Sequence, residues 1–93
     1  KEYALHQNYP NPFNPTTTLK YDLPENAVVT LTIYDVMGRE IISLVKNSYR
    51  EAGYHRVIWN GLDKHGKQLG SGMYFYMIRT SSFTKTKKMI MLK

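Results

Sequence analysis

The stretch VVTLTIYDVMGREIISLV (residues 28–45) decides the fold class, because it reads as two strands joined by a tight turn. In its first half, the apolar residues Val29, Leu31 and Ile33 face one way, and the residues between them face the other. Asp35-Val36-Met37-Gly38-Arg39 predicts a hairpin turn that Gly38 closes with a positive φ. Residues 40–45 return as the partner strand, so the stretch predicts an antiparallel hairpin.

Similar segments surround this hairpin, and none of them has a helical period. The predicted strands are 17–23, 28–34, 40–45, 54–59, 73–80 and 84–92, with a further short one near 5–7. Residues 46–52 are polar and are expected to be a connection. Residues 73–80 are apolar on both faces, which is typical of a strand inside a sheet. Short strands at this spacing predict an all-β sandwich.

The segment NYPNPFNP (8–15) contains three of the four prolines of the chain. Proline has no N–H to donate to a ladder, and it pushes the preceding residue out of the α region. We therefore expect a stiff, extended strap that crosses from one sheet to the other, with Tyr9 and Phe13 pinning it to the core. The strap also protects a neighbouring sheet edge from aggregation.

The size of the chain limits what it can do. Ninety-three residues make one domain, 1–93, whose first four residues we interpret as a linker remnant. The sequence begins without Met, and we expect it to be the C-terminal piece of a longer protein. The chain has no cysteine, no long apolar run and no signal-peptide pattern. A core this modest favours a binding or structural module over an enzyme.

The net charge of +6 is unevenly distributed. Residues 1–63 carry six basic and seven acidic side chains, whereas residues 64–93 carry seven basic side chains and no acidic one. Such a field favours an acidic partner, for example phosphate-bearing lipopolysaccharide, a nucleic acid or a negative receptor surface. The alternative is that the lysines keep an edge strand soluble and unpaired.

No pattern in the sequence indicates catalysis or a metal. The three histidines share no ligand spacing, no two carboxylates look placed for acid–base work, and no phosphate-binding loop is present. Asp35 and Asp63 each begin an Asp-x-x-Gly turn, in which the carboxylate accepts backbone N–H bonds. We expect no cofactor, no metal and no enzyme activity.

The chain is rich in aromatic residues, with eight Tyr, three Phe and one Trp. Exposed rings of this kind can stack on sugars, whereas Trp59 and Tyr74 at alternating positions are expected to fill the core. The basic end reads KTKKMIMLK and does not interleave its lysines with aromatic rings, so nucleic acid is not an expected partner.

Four stretches together resemble one family. PNPFNPTTTL (10–19) is similar to the opening of type IX secretion C-terminal sorting domains (type A). AGYHRVIWNGLDKHGKQLGSGMYFYMI (52–78) resembles the same family and the related immunoglobulin-like module of flagellar hook-capping proteins. TIYDVMGREI (32–41) and the lysine-pair strand TKKMIMLK (86–93) fit as well. The positions that match the structural motif are Phe13, Leu19, Trp59, Gly61, Asp63, Gly66, Gly72, Tyr74 and Ile78.

The resemblance implies an immunoglobulin-like sandwich of about seven antiparallel strands in two sheets. It implies a non-catalytic domain, attached to an N-terminal passenger, that outer-membrane type IX translocon components read. In some bacteria a cysteine-protease sortase then removes the domain and joins the passenger to anionic lipopolysaccharide. The implied location is the cell surface or the medium, reached through the periplasm and the outer membrane.

Recognition is expected to fall on the last strand, whose unpaired backbone suits strand addition, with the strap as a second candidate. The residues expected to contact the translocon are Lys87, Lys88 and Lys93, together with Pro10, Asn11 and Pro12. Two other functions stay open at this point: a structural immunoglobulin-like accessory module, and a carbohydrate-binding module of a secreted hydrolase. Self-association through an edge strand also stays open.

Overall fold

A computed structural model of the protein describes residues 2–93, and it contains seven strands. They are β1 (Ala4–Leu5), β2 (Thr17–Leu23), β3 (Ala27–Tyr34), β4 (Glu40–Arg50), β5 (Gly53–Trp59), β6 (Gly72–Arg79) and β7 (Thr84–Met91). They form a three-stranded sheet of order β1-β2-β5 and a four-stranded sheet of order β4-β3-β6-β7, and every named pair is antiparallel. The predicted all-β sandwich is confirmed.

The core lies between the two sheets and is built from the alternation seen in the sequence. On β2 the buried residues are Leu19, Tyr21 and Leu23, and on β3 they are Val29, Leu31 and Ile33. β6 and β7 contribute Tyr74, Tyr76, Ile78, Met89 and Met91. Trp59 is 1% exposed and Tyr74 is 8% exposed, so their predicted core positions are confirmed.

The polar residues 46–50, expected to lie in a connection, belong to β4 instead. They keep pairing with β3 because shifts of register, and the positive φ of 45° at Asn47, absorb the irregular pattern. Asn47 also donates its backbone N–H to Thr30 Oγ1 at 3.1 Å. The prediction failed because an edge strand pairs on one side only and can remain polar on its exposed surface.

β6 is an interior strand of its sheet, as its apolar character predicted. Only one of its faces meets the other sheet, however. Tyr74, Tyr76 and Ile78 point inward and are buried, whereas Met73 is 38% exposed on the opposite face. Phe75 and Met77 on that face are partly buried by neighbouring strands.

Candidate functional site

The strap joins the two sheets by backbone hydrogen bonds at its two ends. Tyr9 and Thr18 exchange N–H···O bonds of 3.0 and 2.8 Å on the three-stranded sheet. Phe13 donates to the carbonyl of Ile90 at 3.0 Å and accepts from the N–H of Leu92 at 2.9 Å on the four-stranded sheet. The strap therefore closes the side of the sandwich on which β1 and β7 are the outer strands.

Only one of the two expected aromatic pins is correct. Phe13 is 2% exposed, but Tyr9 is 79% exposed and points to solvent. Tyr9 pairs with Thr18, which lies on the outer face of β2, so the alternation of the sheet directs the Tyr9 ring outward. The buried residue at this end is its neighbour Asn8, at 2% exposure.

Asn8 supplies the donors that the prolines lack. Its Nδ2 donates to the carbonyl of Pro10 at 3.1 Å and to Thr17 Oγ1 at 3.0 Å. The Thr17 hydroxyl donates to the same Pro10 carbonyl at 2.8 Å. The Asn8 backbone N–H donates to the Tyr76 hydroxyl at 2.9 Å, and that hydroxyl donates to the carbonyl of His6 at 2.6 Å. The buried polar atoms of this end are therefore paired.

Sequence reasoning missed this network of Asn8, Thr17 and Tyr76, although one signal was available. The alternation of β2, extended back from the inward-facing Leu19, places Thr17 on the core side. A buried threonine beside a segment of prolines indicates that carbonyls nearby need donors. Burial raises the pKa of Tyr76 to about 12, which keeps the hydroxyl neutral and able to donate.

The Phe13 ring lies in a pocket built by the matched motif. It packs against Trp59 with ring centroids 5.8 Å apart, and Trp59 meets Tyr74 edge-on at 5.7 Å. The Trp59 indole N–H donates to the carbonyl of Leu62 at 2.9 Å. Tyr74 donates its hydroxyl to the carbonyl of Gly70 at 2.8 Å. The aromatic residues thus hold the strap, the β5–β6 loop and β6 together.

Gly61 has a reason to be glycine that the motif itself does not give. Its φ is +80°, and a Cβ there would lie 3.0 Å from Gln68 Nε2, 3.1 Å from the backbone oxygen of Pro15 and 3.2 Å from Met91 Cε. The strap, the β5–β6 loop and β7 meet at this point. No side chain fits without moving one of them.

Asp63 organises the turn that follows, as its spacing predicted. Its Oδ1 accepts from the N–H groups of Lys67 at 2.9 Å and His65 at 2.8 Å. The backbone hydrogen bond from Lys67 is the largest of the effects that lower the pKa of Asp63. Gly66 closes the turn with a φ of +79°.

Asp35 organises the turn of the β3–β4 hairpin in the same way as Asp63. Its carboxylate accepts from the backbone N–H groups of Met37 and Arg39, both at 2.9 Å.

The remaining motif positions are structural as well. Leu19 and Ile78 are fully buried in the two facing sheets. Gly72 begins β6 with a φ of +152°. Among residues 2–93, no three His, Asp or Glu side chains come together where they could hold a metal ion. No helix long and apolar enough to cross a membrane occurs in the same range.

The three lysines expected to act together do not form one patch. Lys88 lies on the outer face of β7, whereas Lys87 points to the side of the buried Met89 and is partly covered. Lys93 lies two residues beyond the end of β7, where its Nζ donates to the carbonyl of Leu69 at 3.2 Å. Neither ion pair found within residues 2–93, His6–Asp22 or Arg39–Asp35, includes any of these lysines.

The expected open edge on β7 is only partly open. The Ile90 N–H donates to Asn11 Oδ1 at 2.9 Å, and the Lys88 carbonyl accepts from Gln7 Nε2 at 2.8 Å. With the two bonds of Phe13, the chain's own N-terminal segment covers the edge from the carbonyl of residue 88 to residue 92. The expectation failed there because Asn11 and Gln7 pair with the strand through side chains, which no strand pattern reveals.

The other half of the edge makes no outward backbone hydrogen bond within the described part of the chain. It lies beside β1, and Tyr3 stacks on Phe83 at its start. In an antiparallel ladder the backbone groups of alternate residues point away from the partner strand. Ile90 points outward, so Thr84 and Thr86 do too. Within residues 2–93, no hydrogen bond to their outward N–H and C=O groups occurs. The two expected recognition elements thus lie side by side: the strap residues Pro10, Asn11 and Pro12 are exposed next to β7.

Comparison with known proteins gives a family and a fold. The family described as the secretion system C-terminal sorting domain matches residues 7–92. No curated protein matches the chain. Dimeric latent PorU from Porphyromonas gingivalis is similar in structure, with a TM-score of 0.71 and 22% identity over 99% of this chain and 10% of that one.

Two further structures are similar. PorZ, an essential surface component of the type IX secretion system of the same bacterium, gives a TM-score of 0.63 and 21% identity over 98% of this chain and 11% of its own. FlgD from P. aeruginosa gives 0.63 and 25% identity over 81% of this chain and 58% of its own. The chain spans about a tenth of the length of PorU and of PorZ.

The immunoglobulin-like architecture inferred from the motifs is therefore confirmed. Type IX sorting domains are non-catalytic, and they mark proteins for export across the outer membrane to the cell surface or the medium. With the match extending over residues 7–92, the chain belongs to the family of secretion system C-terminal sorting domains.

Proposed function

We propose that the type IX translocon reads this domain at β7, by adding a strand to the free half of its edge. The observation that carries the proposal is that the outward backbone groups of Thr84 and Thr86 make no hydrogen bond within residues 2–93. The exposed Lys85 lies between them, and the exposed Lys88 lies two residues beyond Thr86. Backbone hydrogen bonds of an added strand supply affinity, and lysines attract an acidic partner and set the register.

The N-terminal strap has a supporting role in this proposal. It holds the other half of the β7 edge through Asn11 and Phe13, so that a receptor strand meets a single free segment. Pro10 and Pro12 stiffen the strap, and a preorganised surface loses little entropy on binding. Asn11 then acts through β7 rather than by touching the receptor.

The proposal extends to the protein that carries the domain. Residues 1–93 hold a single sorting domain that is covalently attached to an N-terminal passenger. Lys1 lies outside the described residues. The expected linker remnant, residues 1–4, is too long, because Ala4 pairs in β1 and Tyr3 stacks on Phe83. A cysteine-protease sortase cuts upstream of this point, and the domain contributes no catalytic group to the passenger.

Export of a reporter fused to residues 1–93 tests the recognition surface. In a bacterium that has the type IX system, we expect Thr86→Pro and Lys85→Glu/Lys88→Glu to reduce export strongly. Proline removes the outward N–H of residue 86 and obstructs an added strand without breaking the bonds to β6. Lys46→Glu/Lys64→Glu, an exposed pair elsewhere, is the matched control.

Purified variants must first melt within a few degrees of the parent domain. Normal export of a folded Thr86→Pro variant contradicts strand addition at β7. Equal losses for the control lysine pair show that total charge is read instead. Lys87→Glu, on the partly covered face, separates the two faces of the strand and should matter less than Lys88→Glu.

A further inference from the structure

The outer face of the three-stranded sheet carries an arrangement that neither the core nor the proposed recognition of β7 uses. Tyr54 is 91% exposed, the highest value among the large apolar side chains. In the β2–β5 ladder it lies directly opposite Asp22, and in the next outer row Lys20 lies opposite Arg56. These four side chains project from the same face.

A groove lies on either side of the Tyr54 ring, and the two grooves differ in chemistry. The first has a volume of about 350 Å³, and its lining includes Glu2, Asp22 and Pro24. The second is about 280 Å³, and its lining is Lys20, Tyr54, His55 and Arg56. Tyr54 is thus a ring between an acidic groove and a basic one.

The two cations face each other without compensation. Lys20 and Arg56 form a non-hydrogen-bonded pair in the ladder, where side chains are closest, and like charges directly opposite destabilise a sheet. Neither takes part in an ion pair among residues 2–93. The nearby carboxylate of Asp22 is bound to His6 Nε2 at 2.9 Å instead. An anion placed between the two cations would remove this repulsion.

We propose that this face binds a saccharide that carries an acidic substituent. The apolar face of a sugar ring packs on Tyr54, which is large, rigid and costs little entropy to order. Carboxylate oxygens of Glu2 and Asp22 accept bonds from sugar hydroxyls. Lys20 and Arg56 bind the phosphate or carboxylate of the substituent, with charge-assisted hydrogen bonds.

The same residues argue against two other occupants. A second copy paired antiparallel along the β5 edge overlaps most when it is centred on residue 56, because the outward backbone positions are 54, 56 and 58. That register places Arg56 against Arg56, which is unfavourable. A single-stranded nucleic acid requires a series of stacking rings along a basic groove, whereas here one ring separates groups of opposite charge. The acidic groove favours hydroxyl groups and disfavours a polyphosphate.

Nuclear magnetic resonance titration of the whole chain tests the site with four probes: polygalacturonate fragments, a deacylated phosphorylated core oligosaccharide of lipopolysaccharide, dextran fragments and oligo(dT). We expect shifts at residues 20, 22, 54 and 56 with at least one of the two acidic saccharides. The two acidic probes distinguish a uronate from a phosphate as the substituent. Tyr54→Ser and Lys20→Gln/Arg56→Gln should each weaken that binding about tenfold, since each removes one of the two main contacts.

The matched controls are Tyr49→Ser, another exposed tyrosine, and Lys85→Gln/Lys87→Gln, another basic pair. Equal weakening by a control pair overturns the proposal, because it shows that only the net charge attracts the probe. Three other results also overturn the proposal: dextran binds more strongly than both acidic saccharides, oligo(dT) binds more strongly than both, or no probe binds. The export assay changes residues of β7, whereas the binding assay changes residues of β2 and β5. A failure of saccharide binding therefore leaves the proposal for β7 to be judged by export.

Discussion

The two lateral sides of the sandwich are built in opposite ways. On the side of β1 and β7, the strap fills the gap between the sheets with a buried ring and a buried amide, Phe13 and Asn8, each 2% exposed. On the side of β5, Tyr54 and Ile58 are 91% and 63% exposed, and the outer backbone positions of the strand have no partner among residues 2–93. The chain covers one side with its own N-terminal segment, whereas the outer edge of β5 is exposed and carries the charged Arg56, which disfavours pairing with another strand.

The comparison teaches where stability and recognition are placed. The covered side brings together residues from both ends of the chain, since Phe13 pairs with β7 near the last residue. Its contacts form only when the domain is complete. The open side consists of the β2–β5 pairs within one sheet, and the outward side chains of β5 are exposed and lie outside the core. We therefore expect their substitution to have little effect on folding.

Truncation of the Phe13 ring in the strap is expected to have the largest effect on stability and to show the difference between the two sides most clearly. Phe13→Ala should lower the free energy of unfolding by about 3–5 kcal/mol, because it removes a buried ring from its contact with Trp59 and leaves a cavity. The open-side counterpart, Ile58→Ala, should change it by less than about 1 kcal/mol. Urea denaturation measures both, and similar losses for the two variants would show that the sides are energetically alike.

Replacing two glycines of nearly equal φ with alanine distinguishes the free-energy cost of backbone strain from the cost of steric crowding. Gly38 and Gly61 have φ values of +82° and +80°, but a Cβ at residue 38 meets nothing within 4 Å. We expect Gly38→Ala to cost about 1 kcal/mol, and Gly61→Ala to cost about 1–3 kcal/mol more because it also crowds the strap and β7. Equal urea midpoints for the two variants would mean that the strap shifts without cost.

Removal of the Asn8 amide should have the next largest effect. Asn8→Ala leaves the carbonyl of Pro10 with the Thr17 hydroxyl as its remaining donor, and deprives Thr17 of a partner. We expect a loss of about 1–3 kcal/mol in unfolding free energy. The control is Asn14→Ala at an exposed strap position. A change of a few tenths of a kcal/mol for Asn8→Ala, equal to that of the control, would show that water satisfies these groups.

The smallest expected effect is the pH dependence of stability that the Tyr76 hydroxyl of the same network causes. Burial raises the pKa of Tyr76 to about 12 from its ordinary value of 10, so the folded state holds this proton when the unfolded state has lost it. The stabilisation is complete below pH 10 and is lost as the pH rises through 12. Urea midpoints between pH 9 and 12 should fall less steeply for Tyr76→Phe than for the parent. Parallel curves would mean that the Tyr76 proton does not contribute.

Much of the fold could be predicted because it depends on local alternation. β2 has the predicted bounds, and β3, β5, β6 and β7 begin or end within one residue of theirs. The Asp35 and Asp63 turns are equally local, since each carboxylate bonds to groups two and four residues away. Chemistry contained within a few residues is visible in a sequence.

The site was less predictable because its contacts join distant residues. The sequence predicted a strap and a lysine-bearing final strand, and the structure places them side by side. The sequence could not indicate that Asn11 and Gln7 cover half of the β7 edge, since their hydrogen bonds join residues that are 79 and 81 positions apart. Nor could it separate Lys87 from Lys88 in exposure, which depends on how far the opposite sheet extends.

By itself, the sequence determined the β-sandwich class, the two carboxylate turns and the core faces, because alternation with period two specifies which side chains are buried. Only the tertiary structure decided which sheet edge the strap covers, why a side chain at residue 61 would be crowded, and that Asn8 rather than Tyr9 is buried. Each of these depends on where segments far apart in the chain approach one another. That approach is set by packing between the two sheets, which no local pattern encodes.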